Sequence, residues 1–289
     1  MIKEASQRWA LADVQPVPNL SYNFVVFAES LSPLARGQGE GKNVVLKIGV
    51  PNRELTSEMA ALRLFNGEGA CRLIDYDDER VFLLLERLHP GVMLSRVEDD
   101  EEATHIAAEV MLKIWRSGLD ARVSTSDSKF LQLSDWFDGL KRLRDRFNGG
   151  TGPLSEKLVD RVEQSVTDFF AENHKPILMH GDFHHSNILS SERGWLVIDP
   201  KGVIGPAAYE MGPLLMNPWG EPLNGDNYRL MTERRIDILH ERLGFERERI
   251  WEWGLAHAVL SAWWGIEDNT GWEYALNFAE MIAGLPLVS

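Results

Sequence analysis

Cysteine is almost missing: Cys71 is the only one in the chain, which excludes an intramolecular disulfide and the small disulfide-stapled folds of secreted proteins. Set between Ala70 and Arg72-Leu73-Ile74, in a segment expected to be a strand, it reads as a small buried hydrophobe without a chemical role. No stretch reaches the ~18 consecutive apolar residues of a membrane span. Residues 1–8 carry charge with no apolar core of signal-peptide length behind them, so a reducing, cytoplasmic setting is expected. Basic residues are scarce as well, with 30 Lys plus Arg against 44 Asp plus Glu and a formal net charge of −14. Binding to phosphate backbones needs clustered cations, so a nucleic-acid partner is disfavoured and a cationic ligand is the better electrostatic match. Internal repeats and low-complexity segments are absent too.

What is present fits a globular chain of two lobes, since 289 residues with 44% hydrophobic content exceed one compact core. From Trp9 to about Tyr76, short apolar runs such as residues 24–27 and 44–50 alternate with turn-rich stretches, including the glycine-rich residues 37–41, and imply a small antiparallel sheet. Glu58, Ala61, Leu62 and Phe65 share a helical face, predicting a helix from near Arg53 to Phe65. The apolar run 81–85 reads as a buried strand, broken by Pro90 and Gly91. The interlobe hinge is expected at residues 86–91, dividing the chain into a β-rich lobe with one helix (1–88) and a larger, mainly helical lobe (89–289). In the second lobe, helical spacing appears for Ile106, Val110, Met111 and Ile114, for Leu133, Trp136, Phe137, Leu140 and Leu143, and for Leu158, Val162, Val166 and Phe169. Residues 148–153 read as a loop between the last two.

The densest chemistry lies in residues 180–187, His-Gly-Asp-Phe-His-His-Ser-Asn, followed at 195–202 by an apolar run ending in Asp199-Pro200-Lys201-Gly202. A carboxylate at Asp182, an amide five residues on at Asn187, and a second carboxylate at a strand end, Asp199, have the spacing of a catalytic loop for phosphoryl transfer. One side chain cannot both accept the substrate hydroxyl proton and hold the metal, so the loop supplies two. Between them, residues 188–198 read as a short hairpin that returns Asp199 to Asn187. In the strand 44–50, Lys47 is a single cation in apolar surroundings, placed to reach nucleotide phosphates and to pair with a helix carboxylate, either Glu58 or Glu54 one turn before it. At the hinge, Glu86 and Leu88 are the backbone positions expected to meet adenine.

Another reading weighs His180, His184 and His185 with Asp182 as a zinc cluster of the H-x-H-x-D-H kind, but the order is wrong and Asn187, Asp199 and Lys47 are left unexplained. His180 alone also reads as a structural imidazole that hydrogen-bonds loop backbone. Near the C-terminus Trp264 stands among other tryptophans beside Glu267 and Asp268, aromatic and acidic groups suited to a cationic, polyhydroxylated ligand or simply to helix packing.

These residues resemble the aminoglycoside phosphotransferase family: the H-G-D-x-H-x-x-N loop and Val197-Ile198-Asp199 look like its signature, and residues 194–202 and 210–218 look like its streptomycin and hydroxyurea phosphotransferase branch. The resemblance implies a protein-kinase-like α+β fold and phosphorylation of a hydroxyl on a small molecule, by ATP (GTP being the alternative nucleotide) with Mg2+. It implies Asp182 as base, Asn187 and Asp199 as metal ligands, Glu210 as a brace for the loop, and a streptomycin-like antibiotic or hydroxyurea as acceptor; the sequence does not show the oligomeric state, and a monomer is the default expectation. An ordinary metabolite as acceptor, or a silent nucleotide-binding module, are the alternatives. No G-x-G-x-x-G precedes Lys47, and the expected phosphate-covering turn, residues 19–23, holds no glycine.

Overall fold

The computed structural model describes residues 1–17, 23–32, 42–120, 129–172, 175–218 and 226–286. The first lobe is built on a five-stranded antiparallel sheet, ordered β1 (Leu11–Pro16), β2 (Phe24–Ser30), β3 (Lys42–Ile48), β5 (Phe82–Glu86) and β4 (Leu73–Asp77). Alternation along β3 sends Val44, Leu46 and Ile48 to one face and Val45 and Lys47 to the other. A helix the sequence reading did not anticipate, α1 (Ile2–Trp9), covers the first face with Ala5 and Trp9. It is mostly polar, and tertiary bonds anchor it: Trp9 Nε1 donates to Asp75 at 2.6 Å and Ser30 Oγ to the Trp9 carbonyl at 2.9 Å. The lobe therefore carries two helices rather than one.

The opposite face is closed by α2 (Arg53–Phe65), whose bounds match those expected from its periodicity. Asn52 caps it by accepting the Leu55 N–H at 2.8 Å, and Asn66 ends it in the left-handed conformation. Leu55, Met59, Leu62 and Phe65 bury its apolar stripe, leaving Glu54 and Ser57 aimed at the second lobe and Glu58 at Lys47 on β3. Of the turn expected at residues 19–23, all but Asn23 lies outside the described residues, as do the glycines at 37–41.

Past the hinge come β6 (Pro90–Met93), α3 (Asp100–Asp120), β7 (Leu131–Gln132), α4 (Leu133–Phe137), α5 (Gly139–Arg146) and α6 (Glu156–Ala171). The single helix expected over Leu133 to Leu143 is two, divided at Asp138; Gly139 begins the second, and a Cβ there would fall 2.9 Å from the Trp263 ring nitrogen. Next are β8 (Ile177–Met179), the hairpin β9 (Ile188–Ser191) and β10 (Gly194–Val197), β11 (Val203–Gly205), α7 (Met211–Met216), α8 (Asp226–Leu243), α9 (Arg247–Glu267) and α10 (Glu273–Ala283). Helix α9 is the axis of this lobe, buried on nearly every side against α5, α6, α7, α8 and α10. Trp253 on it sits among Phe137, Phe169, Phe170 and Tyr209. Among the described residues no helix is long and apolar enough to cross a membrane.

Two small sheets set the chemistry in place. β10 pairs with β9, and β9 with β6. β11 pairs antiparallel with β8 and parallel with β7. Residues 180–187 leave the end of β8, and residues 198–202 join β10 to β11, so the two functional loops lie side by side. Cys71 donates its backbone N–H to the Val197 carbonyl at 2.8 Å, and burial pushes its thiol up to about 12, which leaves it inert as a nucleophile.

Candidate active site

The loop after β8 is held by groups that are themselves buried. Glu210 has no solvent exposure, and its carboxylate accepts the backbone N–H groups of His180 at 3.1 Å and Gly181 at 2.7 Å. Burial, opposed by those two bonds, pushes its carboxyl up to about 7. The His180 ring accepts the Asp182 N–H on Nδ1 at 3.2 Å and donates from Nε2 to the Ile198 carbonyl at 2.8 Å, joining the two loops. Burial, against the pull of that carbonyl, brings it down to about 4, so it is a neutral strut. Gly181 has φ +89, and a Cβ there would strike Val203.

Glu210 yields a pH prediction. A carboxyl whose folded pKa lies above its ordinary 4.5 stabilises the fold fully below pH 4.5, and that contribution is lost as pH rises to about 7. The cost of Glu210→Gln is therefore expected to shrink by about 3 kcal/mol between those limits. Urea unfolding of both proteins at pH 4.5, 5.5 and 7.5 measures it, and a cost independent of pH would count against this assignment.

The histidines do not gather around a common point. His180 bonds loop backbone, His184 Nδ1 accepts the Ser186 N–H at 3.3 Å, and burial holds His185 neutral, well below the usual imidazole range, with Arg235 adding to the effect. Among the described residues no group of three or more His, Cys, Asp and Glu could hold a metal, so the zinc arrangement is not formed.

Asp182 stands at the loop's open side, its side chain 37% exposed, with His184 Nε2 3.7 Å from its carboxylate. Asn187 donates its amide N–H to the Asp182 carbonyl at 3.0 Å, which leaves its oxygen as the free coordinating atom. The hairpin returns Asp199 beside it, as Ile198 N–H bonds the Asn187 carbonyl at 2.9 Å. Asp199 takes the left-handed conformation (φ 60) and forms an ion pair with Lys47. Despite burial, Lys47 and Lys201 pull its carboxyl down to about 2. An amide oxygen and an ionised carboxylate are hard donors that suit magnesium.

Lys47 also bonds both oxygens of Glu58, at 2.8 and 2.6 Å, so the helix carboxylate it pairs with is Glu58. Against the desolvation of its burial, Glu58 and Asp199 hold it above the ordinary lysine range. Glu54 binds Lys201 instead, at 2.6 Å, and Ser57 Oγ donates to the Gly202 carbonyl at 2.6 Å. Two side chains on one face of α2, Glu54 and Ser57, thus fasten it directly to residues 201 and 202, and Glu58 is linked to Asp199 through Lys47. A Cβ at Gly202 (φ +68) would lie 2.6 Å from the Ser57 carbonyl, so the contact leaves no room for a side chain.

Two cavities open from this floor. The larger, about 1100 Å³, is lined on one side by Asp182, His184 and Lys201 and on the other by Trp136, Met216, Asn217, His257, Ser261 and Trp264, with Arg53, Arg96 and Glu54 at its rim. The smaller, about 640 Å³, is bordered by Asn23, Leu55, Glu58, Asp199, Lys201, Trp264 and Asp268. The tryptophan and aspartate singled out near the C-terminus reach these cavities. Glu267 instead closes a two-point ion pair with Arg142, at 2.7 and 3.0 Å. At the hinge, the Glu86 carboxylate binds the Arg72 N–H at 3.0 Å and the Arg193 guanidinium at 2.5 Å, and Leu88 is buried; neither borders either cavity.

Sequence reasoning assigned no part to Lys201, Trp136, His257 or Ser261. His257, Ser261 and Trp264 lie at i, i+4 and i+7 on α9, a helical face that could have been read as one wall. Nothing in the sequence says it faces Asp182.

The chain matches the family described as aminoglycoside/hydroxyurea antibiotic resistance kinase over residues 12–269. It is 29% identical over 239 residues to a streptomycin 6-kinase of Streptomyces griseus, covering 80% of this chain and 74% of that protein. It is 30% identical over 277 residues to a hydroxyurea phosphotransferase of Kitasatospora aureofaciens, covering 93% of this chain and 73% of that protein. Among solved structures, a thermostable mutant of aminoglycoside phosphotransferase APH(4)-Ia, in ternary complex with ADP and hygromycin B, aligns with a TM-score of 0.68 at 11% identity over 99% of both chains, a likeness of fold. With its antiparallel lobe, helical lobe and H-G-D-x-H-x-x-N loop, the chain belongs to the aminoglycoside/hydroxyurea antibiotic resistance kinases, phosphotransferases of protein-kinase-like fold.

Proposed function

We propose that this kinase transfers the γ-phosphoryl group of ATP to a hydroxyl of an aminoglycoside-type molecule, with Asp182 as the base. The observation that carries this reading is the convergence of Asp182, Asn187, Asp199 and the Lys47–Glu58 pair between two cavities, with Asp182 lining the one of about 1100 Å³ and Asp199 and Glu58 the one of about 640 Å³. Asn187 and Asp199 would hold magnesium, which when bound neutralises phosphate charge. Asp182 takes the proton as the acceptor oxygen bonds to phosphorus, the bond to the bridging oxygen breaks, and ADP leaves. His180 and Glu210 fix the loop so that this carboxylate points into the cavity.

The size of the cavity favours an acceptor of drug size over hydroxyurea, which would fill a small part of it. Its lining carries both signs, with Glu54 and Asp182 against Arg53, Arg96 and Lys201. Cationic groups on the acceptor therefore have partners only at particular places, and the edge-to-face pair Trp136 and Trp264, 5.4 Å between centroids, offers an apolar surface beside them. Similarity to proteins named streptomycin 6-kinase supports the same class.

The test is magnesium-dependent release of ADP or GDP from ATP or GTP, with streptomycin, other aminoglycosides, hydroxyurea, sugars and amino alcohols as acceptors. Turnover on streptomycin is the expected result; turnover confined to a sugar or amino alcohol would remove the antibiotic from the proposal, and none with any acceptor would remove the activity. With the active acceptor, Trp136→Leu is expected to raise its KM about tenfold, the loss of roughly 1.4 kcal/mol of ring contact, with KM for ATP unchanged. Equal changes in both constants would mean that Trp136 supports the fold and does not touch the acceptor.

A further inference from the structure

Lys47 is the expected phosphate cation, yet it is only 5% exposed, sunk between Glu58 and Asp199, and borders neither cavity. Two carboxylates more than balance its charge. Lys201 is placed differently. Among the described residues it is the only lysine or arginine that lines both cavities, Arg53 and Arg96 bordering the larger alone. Its backbone N–H is bonded to the His180 carbonyl at 2.7 Å, so its root is fixed to the loop that carries Asp182. Its ammonium bonds Glu54 at 2.6 Å and is further attracted by Asp199 and Asp182, and Glu54 also borders both cavities with its side chain 51% exposed.

On the phosphotransferase reading, the smaller cavity, bordered by Glu58 and Asp199, takes the nucleotide phosphates and the larger, lined by Asp182, takes the acceptor, so the transferring phosphoryl group crosses between them. Charge on its equatorial oxygens is stabilised by whatever cation stands at the crossing. We propose that Lys201 is a second catalytic cation that engages the transferring phosphoryl group, and that Glu54 holds it while no phosphate is there. This rests on the phosphotransferase reading above. During transfer Lys201 makes and breaks no covalent bond: the proton goes to Asp182, the phosphorus to the acceptor oxygen, and the electron pair of the broken bond to ADP. Glu54 and Lys201 belong to different lobes, so the exchange of partners also loosens one of the ties between α2 and the loop after Asp199.

Direct binding separates Lys201 from a merely structural lysine, because a group that meets only the γ-phosphoryl distinguishes a triphosphate from a diphosphate. The full-length chain is titrated calorimetrically with ADP and with AMP-PNP, each with magnesium. Lys201→Met is expected to raise the AMP-PNP Kd about tenfold or more and to leave that of ADP within about twofold, since only the triphosphate loses a charge-assisted hydrogen bond. Lys201→Arg should restore AMP-PNP binding. Glu54→Gln should tighten AMP-PNP without changing ADP, and it keeps the proposal open to refutation if Lys201→Met fails to fold. With the active acceptor, kcat of Lys201→Met should fall by about 10² to 10³. A wild-type protein that binds neither nucleotide overturns the phosphotransferase reading and this inference together. Wild-type binding of both, with an AMP-PNP to ADP preference unmoved in Lys201→Met and Glu54→Gln, overturns the role of Lys201 alone.

Discussion

Asp182→Asn is expected to lower kcat by about 10² to 10⁴ while leaving the Kd for ATP within about twofold. The substitution keeps the shape and the loop. His180 accepts the Asp182 backbone N–H, Glu210 accepts the N–H groups of His180 and Gly181, and Asn187 bonds the Asp182 carbonyl, so none of these contacts uses the carboxylate that the substitution replaces. What disappears is the acceptor for the hydroxyl proton at the mouth of the larger cavity. Because transfer of this kind depends more on positioning and electrostatics than on full deprotonation, residual turnover is expected rather than none. Single-turnover phosphorylation of the active acceptor and equilibrium binding of ATP are the two measurements. Turnover equal to wild type would move the base elsewhere, and lost ATP binding would mean that Asp182 supports the nucleotide site.

Lys47→Met should lower kcat/KM for ATP by about 10² to 10³ and also reduce the stability of the fold. The second effect follows from burial. The Lys47 side chain is 7% exposed and that of Glu58 5%, so removing the ammonium leaves a carboxylate in a place with little water. Breaking such a pair costs on the order of 3–5 kcal/mol. Lys47→Met combined with Glu58→Gln should recover a large part of the stability and none of the activity, because an uncharged pair can pack but cannot hold the Asp199 carboxylate in place. Chemical denaturation of the single and double variants decides it. A double variant no more stable than Lys47→Met would show that the loss comes from Asp199 or from packing, not from the stranded Glu58.

The elements that were legible in the sequence are those whose own residues decide them. Helix α2 has a stripe of period 3.6 with Asn at either end, and the hairpin of β9 and β10 has apolar runs flanking a Ser-Ser-Glu-Arg-Gly turn. The loop from His180 to Asn187 is local too, and the pairing of Asp182, Asn187 and Asp199 followed from hairpin geometry. Other features depend on the folded whole. Helix α1 buries only Ala5 and Trp9, too few for a pattern. Strands β7, β8 and β11 are two or three residues long, below what alternation can reveal. Helix α9 is buried nearly all round, so its sequence has no polar face to show which side meets the cavity. Glu54 and Glu58 were indistinguishable by spacing because they lie one turn apart on the same helical face, and each has a lysine partner, Lys201 from the second lobe for Glu54 and Lys47 on β3 for Glu58.

The hydrogen bond between Tyr209 and His257, 3.0 Å from hydroxyl to Nδ1, has a bearing on how such a chain could change its acceptor. Tyr209 adjoins Glu210, which holds the loop of Asp182, while His257 belongs to the wall formed with Ser261 and Trp264. Ser261 and Trp264 are only partly buried, so substitutions there can reshape the wall without disturbing the loop. A substitution at His257 removes the hydroxyl partner of Tyr209, the neighbour of Glu210. Lineages that diverge toward new acceptors should accumulate variation at the first two positions early, and at His257 only together with a compensating change at Tyr209.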